Sequence, residues 1–380
     1  MKVLFVVQGE GRGHLTQALS LSKILRDNGH EVVQILVGTN SNREIPSFFL
    51  EKTNTVVTAF ASPGFMPGKS NKYIGHVRST LYNVLRTPAY MASIAGIYHA
   101  ICQQKPDLVI NFYEILCGLT YMVFRPKVPE VCIGHQYLFL HPEFEMPAQH
   151  KISQKWLNGF TRCTAAGASA VLALSFRPYS EVPELRLKSI PPLLRQEILD
   201  TPRHHGDYIT GYVLNAGFSN DIITWHAKHK NVRMHWFWDK KDAPEETIVD
   251  ENLIFSRIND EKFIQSLANC KAYATTGGFE SVCEALYMGK PVLMVPAHIE
   301  QECNVCDAER QGAGIGSSVF NLDRLLQFAR SYDEDVEFRM WENLADQKIM
   351  SILEDVAYNV QTGTNVPTVG TSWPLADAEF

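Results

Sequence analysis

The sequence has no apolar run that approaches the ~20 residues needed to span a membrane as a helix. Its first apolar run ends at Val7, and the charged residues Glu10 and Arg12 follow at once, which is not the pattern of a secretory signal peptide. These two absences predict a cytoplasmic protein. The composition, 45% hydrophobic and 20% charged over 380 residues, is typical of a globular protein large enough for two domains.

Metal-ligand patterns are also scarce. Among eight cysteines only Cys303 and Cys306 form a C-x-x-C pair, and no second pair completes a zinc site, so two helix residues in a reducing compartment are the better interpretation. One acidic run resembles a metal-binding D-x-D, Asp333-Glu334-Asp335, but it stands where the last helix is predicted to begin, and acidic residues favour that position as N-caps. We expect no bound metal.

Charge is unevenly distributed along the chain. Residues 1–200 contain 20 Lys and Arg against 14 Asp and Glu, a net +6, whereas residues 201–380 contain 15 against 27, a net −12. A basic N-terminal half suits an anionic acceptor or peripheral contact with an anionic membrane surface, and ordinary variation between two domains would give the same counts. No nucleic-acid partner is expected.

Short apolar strands alternate with helical stretches in two blocks, which is the pattern of parallel sheets covered by helices. The first block contains "VLFVV", "EVVQILV", "TVVTAF", "PDLVINF", "PEVCIG" and "SAVLAL", and the second contains "YITGYVLNA", "VRMHWFW", "NLIFSR", "KAYATT" and "KPVLMVP". We predict an α/β protein with two Rossmann-like domains that face each other across a cleft. The predicted parts are a first domain at 1–195, a linker at 196–206, a second domain at 207–332, a C-terminal helix at 333–358 and a loosely ordered tail at 359–380.

Two familiar nucleotide-binding fingerprints are incomplete. The turn "QGEGRGH" after the first strand lacks the third glycine of G-x-G-x-x-G and carries His14 instead, and no acid follows the second strand, which argues against a nicotinamide cofactor. The stretch Gly64–Ser70 nearly matches a P-loop, but Pro63 replaces the first glycine and Pro67 removes an N–H group that would hold phosphate. His14 therefore stands at a helix N-terminus for another reason.

The stretch Ala274–Ile315 contains a second strand–turn–helix unit. A strand ends at a Gly277-Gly278 turn and a helix follows, which presents free backbone N–H groups to an anion such as phosphate. Glu280 and Glu284 lie one helical turn apart, and a carboxylate at such a place can accept hydrogen bonds from a sugar diol. The polar string "HIEQECN" follows the next strand at the same edge of the sheet, where α/β folds bind ligands.

This arrangement resembles the nucleotide-sugar glycosyltransferases of the two-domain GT-B fold, in particular the UDP-glycosyltransferases and the peptidoglycan lipid-linked N-acetylglucosaminyl transferase. The resemblance covers residues 1–330, implies a C-terminal helix that packs back on the N-terminal domain, and includes a histidine in the opening turn, His14. The second motif matches at Thr276, Gly277, Gly278, Glu280, Ser281, Glu284, Glu300, Gln301 and Asn304. Thr276 and Glu280 depart from the plant enzymes, which have histidine and asparagine there.

The resemblance also implies a role for each matching residue. Ser281 and the N–H groups of Gly278 and Phe279 would hold phosphate, Glu284 would hold the ribose, and Glu300 and Gln301 would hold the donor sugar. Further donor contacts are expected from the loop residues Gly217, Ser219 and Asn220 for phosphate and from Arg257 and Ile258 for the base. The acceptor side would comprise Gly11, Arg12, Gly13, His135 and Gln136.

His14 is the expected general base, because a neutral imidazole can take a proton from an acceptor hydroxyl near neutral pH. The family orients this histidine with a carboxylate, and Glu114, at the end of the strand "VINF", is the candidate here. The expected reaction is inverting and metal-independent transfer from a nucleotide-diphospho-sugar, most simply a UDP-sugar, which acts as co-substrate without any cofactor. The acceptor is a sugar, a glycolipid of the cell envelope or a small molecule, and a glycolipid would place the protein at the inner face of the membrane.

Two alternatives remain open from the sequence. A nucleotide-sugar epimerase on the same fold would need several acids and bases around one sugar carbon, and the sequence presents mainly His14. A non-catalytic protein that binds nucleotide sugars would retain the donor motif without any turnover.

Overall fold

A computed structural model describes residues 1–40, 44–64, 82–213, 216–240 and 242–361. Most of the near P-loop, from residue 65 onward, and almost all of the predicted tail, from residue 362 onward, lie outside these described residues.

The N-terminal half is built on a sheet of seven parallel strands. These are β1 (Lys2–Gln8), β2 (Glu31–Thr39), β3 (Val57–Ala61), β4 (Leu108–Phe112), β5 (Glu130–Gly134), β6 (Ala170–Leu174) and β7 (Leu187–Ile190). Their order in the sheet is β3-β2-β1-β4-β5-β6-β7, so the chain reverses its direction of winding beside β1. The central strands β4, β5 and β6 are buried along their whole length because helices cover both faces.

The helices of this half lie on the two faces of the sheet. They are α1 (Arg12–Asp27), α2 (Ser47–Lys52), α3 (Thr87–Gln104), α4 (Ile115–Phe124) and α5 (Lys151–Thr164), with 3₁₀ turns at His135–Leu140 and Pro183–Leu185. The predicted helix after the opening turn is α1, and its apolar stripe packs on the sheet core. The chain leaves α1 through Gly29, whose φ of 77° lies in the left-handed region that favours glycine.

The C-terminal half contains a second seven-stranded sheet. Its strands are β8 (Ile209–Val213), β9 (Met234–Trp238), β10 (Glu246–Asp250), β11 (Leu253–Arg257), β12 (Ala272–Thr275), β13 (Val292–Met294) and β14 (Ile315–Gly316), in the order β10-β11-β9-β8-β12-β13-β14. All neighbours are parallel except the edge hairpin β10–β11. The five predicted strands are present, whereas β10 and β14 were not predicted, since the first is largely exposed and the second has only two residues.

Helices connect these strands and then return to the first half. They are α6 (Gln196–Asp200), α7 (Ser219–His226), α8 (Asp260–Asn269), α9 (Phe279–Tyr287), α10 (Ile299–Arg310), α11 (Leu322–Phe328), α12 (Val336–Glu342) and α13 (Ala345–Gln361). The single C-terminal helix predicted at 333–358 is therefore two helices, with a break at Asn343 and Leu344. The helices pack back on the N-terminal half, where the Trp341 indole N–H donates to the Ser175 carbonyl oxygen at 3.0 Å.

Asp335 confirms the capping interpretation of the acidic run. Its side chain accepts a hydrogen bond from the Phe338 N–H at 2.9 Å and so caps α12. The same carboxylate receives both bonds of one Arg177 Nη2, at 2.6 and 2.8 Å, from the segment after β6. The cap therefore also ties the C-terminal helices to the N-terminal half.

We expect Phe338→Ala to destabilise the protein and Met340→Ala, on the same helix, to have little effect. Phe338 is fully buried in the core shared by both halves, while Met340 is 65% exposed. Removing a buried phenylalanine ring costs about 3–5 kcal/mol, whereas exposed substitutions usually stay within about 0.5 kcal/mol. Urea unfolding followed by circular dichroism measures both, and equal midpoints for the two variants would contradict this packing.

Candidate active site

Two helix N-termini meet where the two sheets face each other. Helix α1 starts just after β1, and α9 starts just after β12, so both begin at the carboxyl ends of parallel strands. The two starts lie close together: a Cβ atom built on Gly13 would lie only 3.1 Å from Cγ of Glu280. Ligands of α/β proteins bind at this edge of the sheet, and here the edges of both sheets contribute to one cleft.

The turn before α9 requires glycine and leaves backbone donors open. Gly277 has a φ of 81°, and a Cβ atom there would lie 2.9 Å from Cγ2 of Val305. Gly278 is the N-cap and supplies no side-chain cap to the first-turn N–H groups. The Ser281 hydroxyl lies in that turn and donates to the Gly278 carbonyl oxygen at 3.1 Å. Thr276, before the turn, is buried. The sequence-predicted phosphate-binding residues are therefore contiguous around one helix start.

His14 lies in the first turn of α1 and is held by amide groups on both ring nitrogens. Nδ1 lies 3.2 Å from Oε1 of Gln17, and Nε2 lies 3.4 Å from Nε2 of Gln136. The ring stacks on Tyr113 with centroids 5.7 Å apart. Burial lowers the pKa of His14 below its ordinary value, and the nearby Glu300 carboxylate and the bond to Gln17 act in the opposite direction. The imidazole is therefore neutral at neutral pH, as a base must be.

Glu114, the candidate partner of His14, lies elsewhere. Its Oε1 accepts hydrogen bonds from the Ser62 hydroxyl at 2.7 Å and from the Leu116 N–H at 3.1 Å, so it caps α4. Burial raises its pKa to about 7. The structure does not bring this carboxylate to His14, because the cap and the Ser62 bond direct it toward β2 and β3.

Glu280 faces the N-terminal half. It accepts a hydrogen bond from Nε2 of Gln17, which is the residue that also contacts His14. The pKa of Glu280 is raised to about 8, chiefly by burial and also by the neighbouring Glu284 carboxylate, while the bond to Gln17 and the charge of Arg195 act in the opposite direction. This carboxyl is therefore largely protonated, and so uncharged, at neutral pH.

Glu284 is paired with an arginine that the sequence reasoning missed. Arg195, which precedes α6, binds it through two bonds, Nε to Oε1 at 2.6 Å and Nη2 to Oε2 at 2.8 Å. Both side chains are buried. Arg195 Nη1 also lies 3.5 Å from Asp260, which accepts a bond from Arg12 at 2.6 Å. A predicted acceptor-side residue, Arg12, is thus linked to the predicted ribose-binding residue.

The polar residues of α10 surround the same turn. Glu300 accepts a hydrogen bond from Nε2 of Gln136 at 2.9 Å, across the cleft. Gln301 accepts one from the Ala297 N–H at 2.9 Å, and Asn304 donates to the Gly277 carbonyl oxygen at 3.2 Å. The buried Oδ1 of Asn304 has no hydrogen-bond partner among the described residues. The structure therefore brings this predicted donor-sugar group to the same cleft as His14.

A cavity of about 290 Å³ lies beside this network, at the ends of β9 and β11. Arg257 and Ile258, the residues predicted to meet the base, line it together with Arg12. Trp238 and Lys240 also line it, with Nζ of Lys240 5.0 Å from the centroid of the indole ring. Trp238 was missed, although an aromatic residue at the end of the strand "VRMHWFW" was a visible signal.

The remaining predicted residues are placed as follows. Gly217 lies in a 3₁₀ turn and Ser219 and Asn220 begin α7, directly after β8, which pairs with β12. This loop therefore emerges beside the Gly277-Gly278 turn. Gly11 is the N-cap of α1. His135 is buried, and its ring stacks on Phe279 with centroids 3.8 Å apart, so it is a packing contact between the two halves.

Burial lowers the pKa of His135 to about 4, although its Nδ1 contact with the Leu174 carbonyl oxygen acts against this shift. The ring is therefore neutral, which suits its stack on Phe279.

The described residues contain no group of three or more His, Cys, Asp or Glu side chains arranged to hold a metal ion. Cys303 and Cys306 lie on α10, and all eight cysteines are free thiols. In the same described part of the chain, no helix has both the length and the apolar character that crossing a bilayer requires.

Comparisons with known proteins show the family and the fold of this chain. A family model described as glycosyl transferase family 1 matches residues 1–331. An uncharacterised glycosyltransferase of Methanosarcina acetivorans is 21% identical over 352 residues, which cover 83% of this chain and 85% of that protein.

Solved structures show the same fold at low identity. The glycotransferase of kitacinnamycin superposes with a TM-score of 0.64 at 14% identity, over 94% of this chain and 99% of the other. UGT89C1 of Arabidopsis thaliana, complexed with UDP-L-rhamnose, gives a TM-score of 0.59 at 16% identity, over 96% and 97% of the two chains. Because the family model spans most of the chain, this protein belongs to glycosyl transferase family 1 and is a glycosyltransferase with the two-domain GT-B fold.

Proposed function

We propose that the protein transfers a sugar from a UDP-sugar to an acceptor hydroxyl with inversion at the anomeric carbon, and that His14 is the general base. The observation that carries this proposal is the position of His14. Its neutral ring lies in the cleft, at the start of α1 and beside the start of α9. The Gln136 amide contacts both His14 and Glu300 and so connects the two side chains. Membership of the family favours transfer over the epimerase and the non-catalytic alternatives.

The proposed step is a single displacement. The acceptor oxygen forms a bond to the anomeric carbon while its proton moves to Nε2 of His14. The bond between that carbon and the β-phosphate oxygen breaks, and its electron pair leaves with the nucleoside diphosphate. A neutral base with a pKa below 6.5 can act in this way over the physiological pH range.

The start of α9 would stabilise the departing diphosphate. Its free N–H groups and the positive end of the helix dipole favour an anion without a metal ion. Ser281, one turn into α9, and the loop containing Ser219 would add hydrogen bonds, and no further cofactor is proposed. Fixed dipoles of this kind act where negative charge develops in the transition state.

The rest of the donor would extend from this point in two directions. Glu284, oriented by Arg195, would accept hydrogen bonds from the ribose hydroxyls through its remaining lone pairs, and the base would enter the 290 Å³ cavity beside Trp238. Glu300 and Gln301 would bind the sugar hydroxyls. The choice of UDP rests on the relatives, because UGT89C1 was crystallised with UDP-L-rhamnose and with UDP.

The acceptor side would be formed by the opening turn and the residues opposite it, namely Gly11, Arg12, Gly13 and Gln136. A membrane-bound glycolipid is one acceptor class that fits this half of the protein. Helices α3, α4 and α5 are neighbours on one face of the first sheet and contain no acidic residue. On α5, Ile152 and Trp156 are 76% and 73% exposed, and each directly follows an exposed lysine, Lys151 and Lys155 respectively. Exposed apolar side chains flanked by cations match an anionic bilayer.

Donor binding tests the assignment first. Isothermal calorimetry with UDP, GDP, dTDP, CDP, ATP and NAD should show the tightest binding for UDP. Glu284→Gln, which keeps the size of the side chain, should weaken UDP binding by about 10- to 150-fold, since losing a charge-assisted hydrogen bond costs about 1.5–3 kcal/mol. Binding of ATP or NAD alone, or binding that ignores Glu284, would contradict the donor site.

We expect His14→Asn to reduce the rate of UDP release by about 10²–10⁴-fold. The assay would offer UDP-glucose, UDP-N-acetylglucosamine and UDP-rhamnose as donors, with phenolic, sugar and glycolipid acceptors. UDP affinity should stay near that of the parent protein. Because burial lowers the pKa of His14, activity in the parent protein should persist to a lower pH than an ordinary histidine base would allow. Full activity in His14→Asn would remove this residue from the mechanism.

Trp156→Ala should weaken binding to vesicles containing phosphatidylglycerol several-fold, because the exposed indole would enter the interface and the lysines would meet the anionic head groups. Sedimentation with these vesicles and with neutral phosphatidylcholine vesicles measures the difference. Val249→Ala, at an exposed position on β10 of the other half, is the control. No sedimentation of the parent protein, or self-association through this face, would rule out the membrane contact.

A further inference from the structure

A chain of hydrogen bonds runs from His14 to the opposite half of the protein. Nδ1 of His14 lies 3.2 Å from Oε1 of Gln17, and Nε2 of Gln17 donates to Oε1 of Glu280. Gln17 lies three residues after His14 on α1, so the two side chains share one face of the helix. Glu280 comes from the first turn of α9, 263 residues away from Gln17 along the chain.

In the structure the NH₂ group of the Gln17 amide faces Glu280 and its oxygen faces His14. The carbonyl oxygen of Glu280 can accept a hydrogen bond from that NH₂ group whether the carboxyl is protonated or ionised. An amide oxygen is an acceptor, so the proton of the neutral imidazole must be on Nδ1. The lone pair is consequently on Nε2, the nitrogen on the side of Gln136 and Glu300.

We propose that Gln17 and Glu280 are positioning residues that hold His14 in the Nδ1–H tautomer. Gln17 belongs to the N-terminal half, and Glu280 belongs to the C-terminal half. The inference rests on the proposed role of His14 as the base. It assigns to an interdomain pair the function first expected of Glu114, whose carboxyl is bonded to Ser62. Such a pair makes the base competent only when the two halves meet.

Burial makes this pair more than a surface contact. Gln17 is 3% exposed, so its amide is almost completely shielded from bulk solvent. Gly13 leaves the space that Glu280 occupies, since a Cβ atom there would lie 3.1 Å from Cγ of Glu280. Losing either partner would leave a buried polar group unpaired, and that cost favours the tautomer in which both ends of the Gln17 amide are bonded.

Nitrogen NMR tests the tautomer directly and needs no substrate. In protein labelled with ¹⁵N-histidine, long-range ¹H–¹⁵N correlations distinguish a protonated ring nitrogen from an unprotonated one, and His14→Asn identifies the His14 signals by their loss. We expect protonated Nδ1 and unprotonated Nε2 at pH 7.5. A predominant Nε2–H pattern in the parent protein would overturn the proposal.

Four substitutions test which groups set the tautomer. Gln17→Met and Glu280→Leu remove polar contacts at similar size and should shift His14 toward the Nε2–H form. Glu280→Gln keeps an acceptor oxygen for Gln17 and should retain the Nδ1–H form. Gln17→Glu keeps an acceptor for Nδ1 and should retain it as well, with a raised titration midpoint. An unchanged Nδ1–H pattern in Gln17→Met would overturn the proposal.

Ser20→Ala is the matched control on the same helix. Its hydroxyl bonds to the Thr16 carbonyl oxygen and does not contact His14, so the tautomer should not change. If the apolar variants do not fold, the tautomer in the parent protein and in Gln17→Glu still tests the proposal, because both are expected to show the Nδ1–H form. UDP binding measured on the same samples distinguishes failure of this inference from failure of the proposed function. If UDP binds but His14 has the Nε2–H tautomer, only the inference about Gln17 and Glu280 is contradicted. Absent UDP binding contradicts the proposed function instead.

Discussion

The buried ion pair between Arg195 and Glu284 is the contact on which the arrangement of the cleft depends. Arg195 belongs to the segment that joins the two halves, and Glu284 belongs to the helix whose start would receive the donor phosphates. Removing one partner of such a pair costs about 3–5 kcal/mol, because the other charge stays buried. Asp260 extends the pair to Arg12 in the opening turn. The connecting segment, helix α9 and the opening turn are thereby held in one electrostatic network.

Around His14 the protein uses burial rather than paired charges to set protonation. Burial lowers the pKa of His14 and raises that of Glu280 to about 8, so both groups are largely neutral at neutral pH. Neutral groups here are compatible with the proposed role of His14 as a base and with the proposed diphosphate site beside Glu280. The amide of Gln17 connects them because it is an acceptor at one end and a donor at the other.

Much of the fold and part of the site could be predicted from local patterns. The strand–turn–helix units and the glycine turn at Gly277 follow from periodicity and turn chemistry, whereas the grouping of His14 with the residues around α9 comes from the resemblance to GT-B glycosyltransferases. The strand β10 and the break before α13 could not be predicted, because an exposed edge strand and a short helical break carry little periodic signal. Trp238 and Asp260 were missed because they enter the cleft through packing between distant segments.

The sequence by itself determined where backbone donors and reactive side chains occur, since a glycine turn followed by a helix has the same local geometry in any surroundings. Only the tertiary structure decided which partner each carboxyl group meets. Glu114 lies against Ser62, Glu280 against Gln17, and Glu284 against Arg195, although all three could have faced His14 or a ligand. The physical reason is that a side chain's partner and its pKa depend on burial, and burial here is created where two halves of the chain, far apart in sequence, pack together.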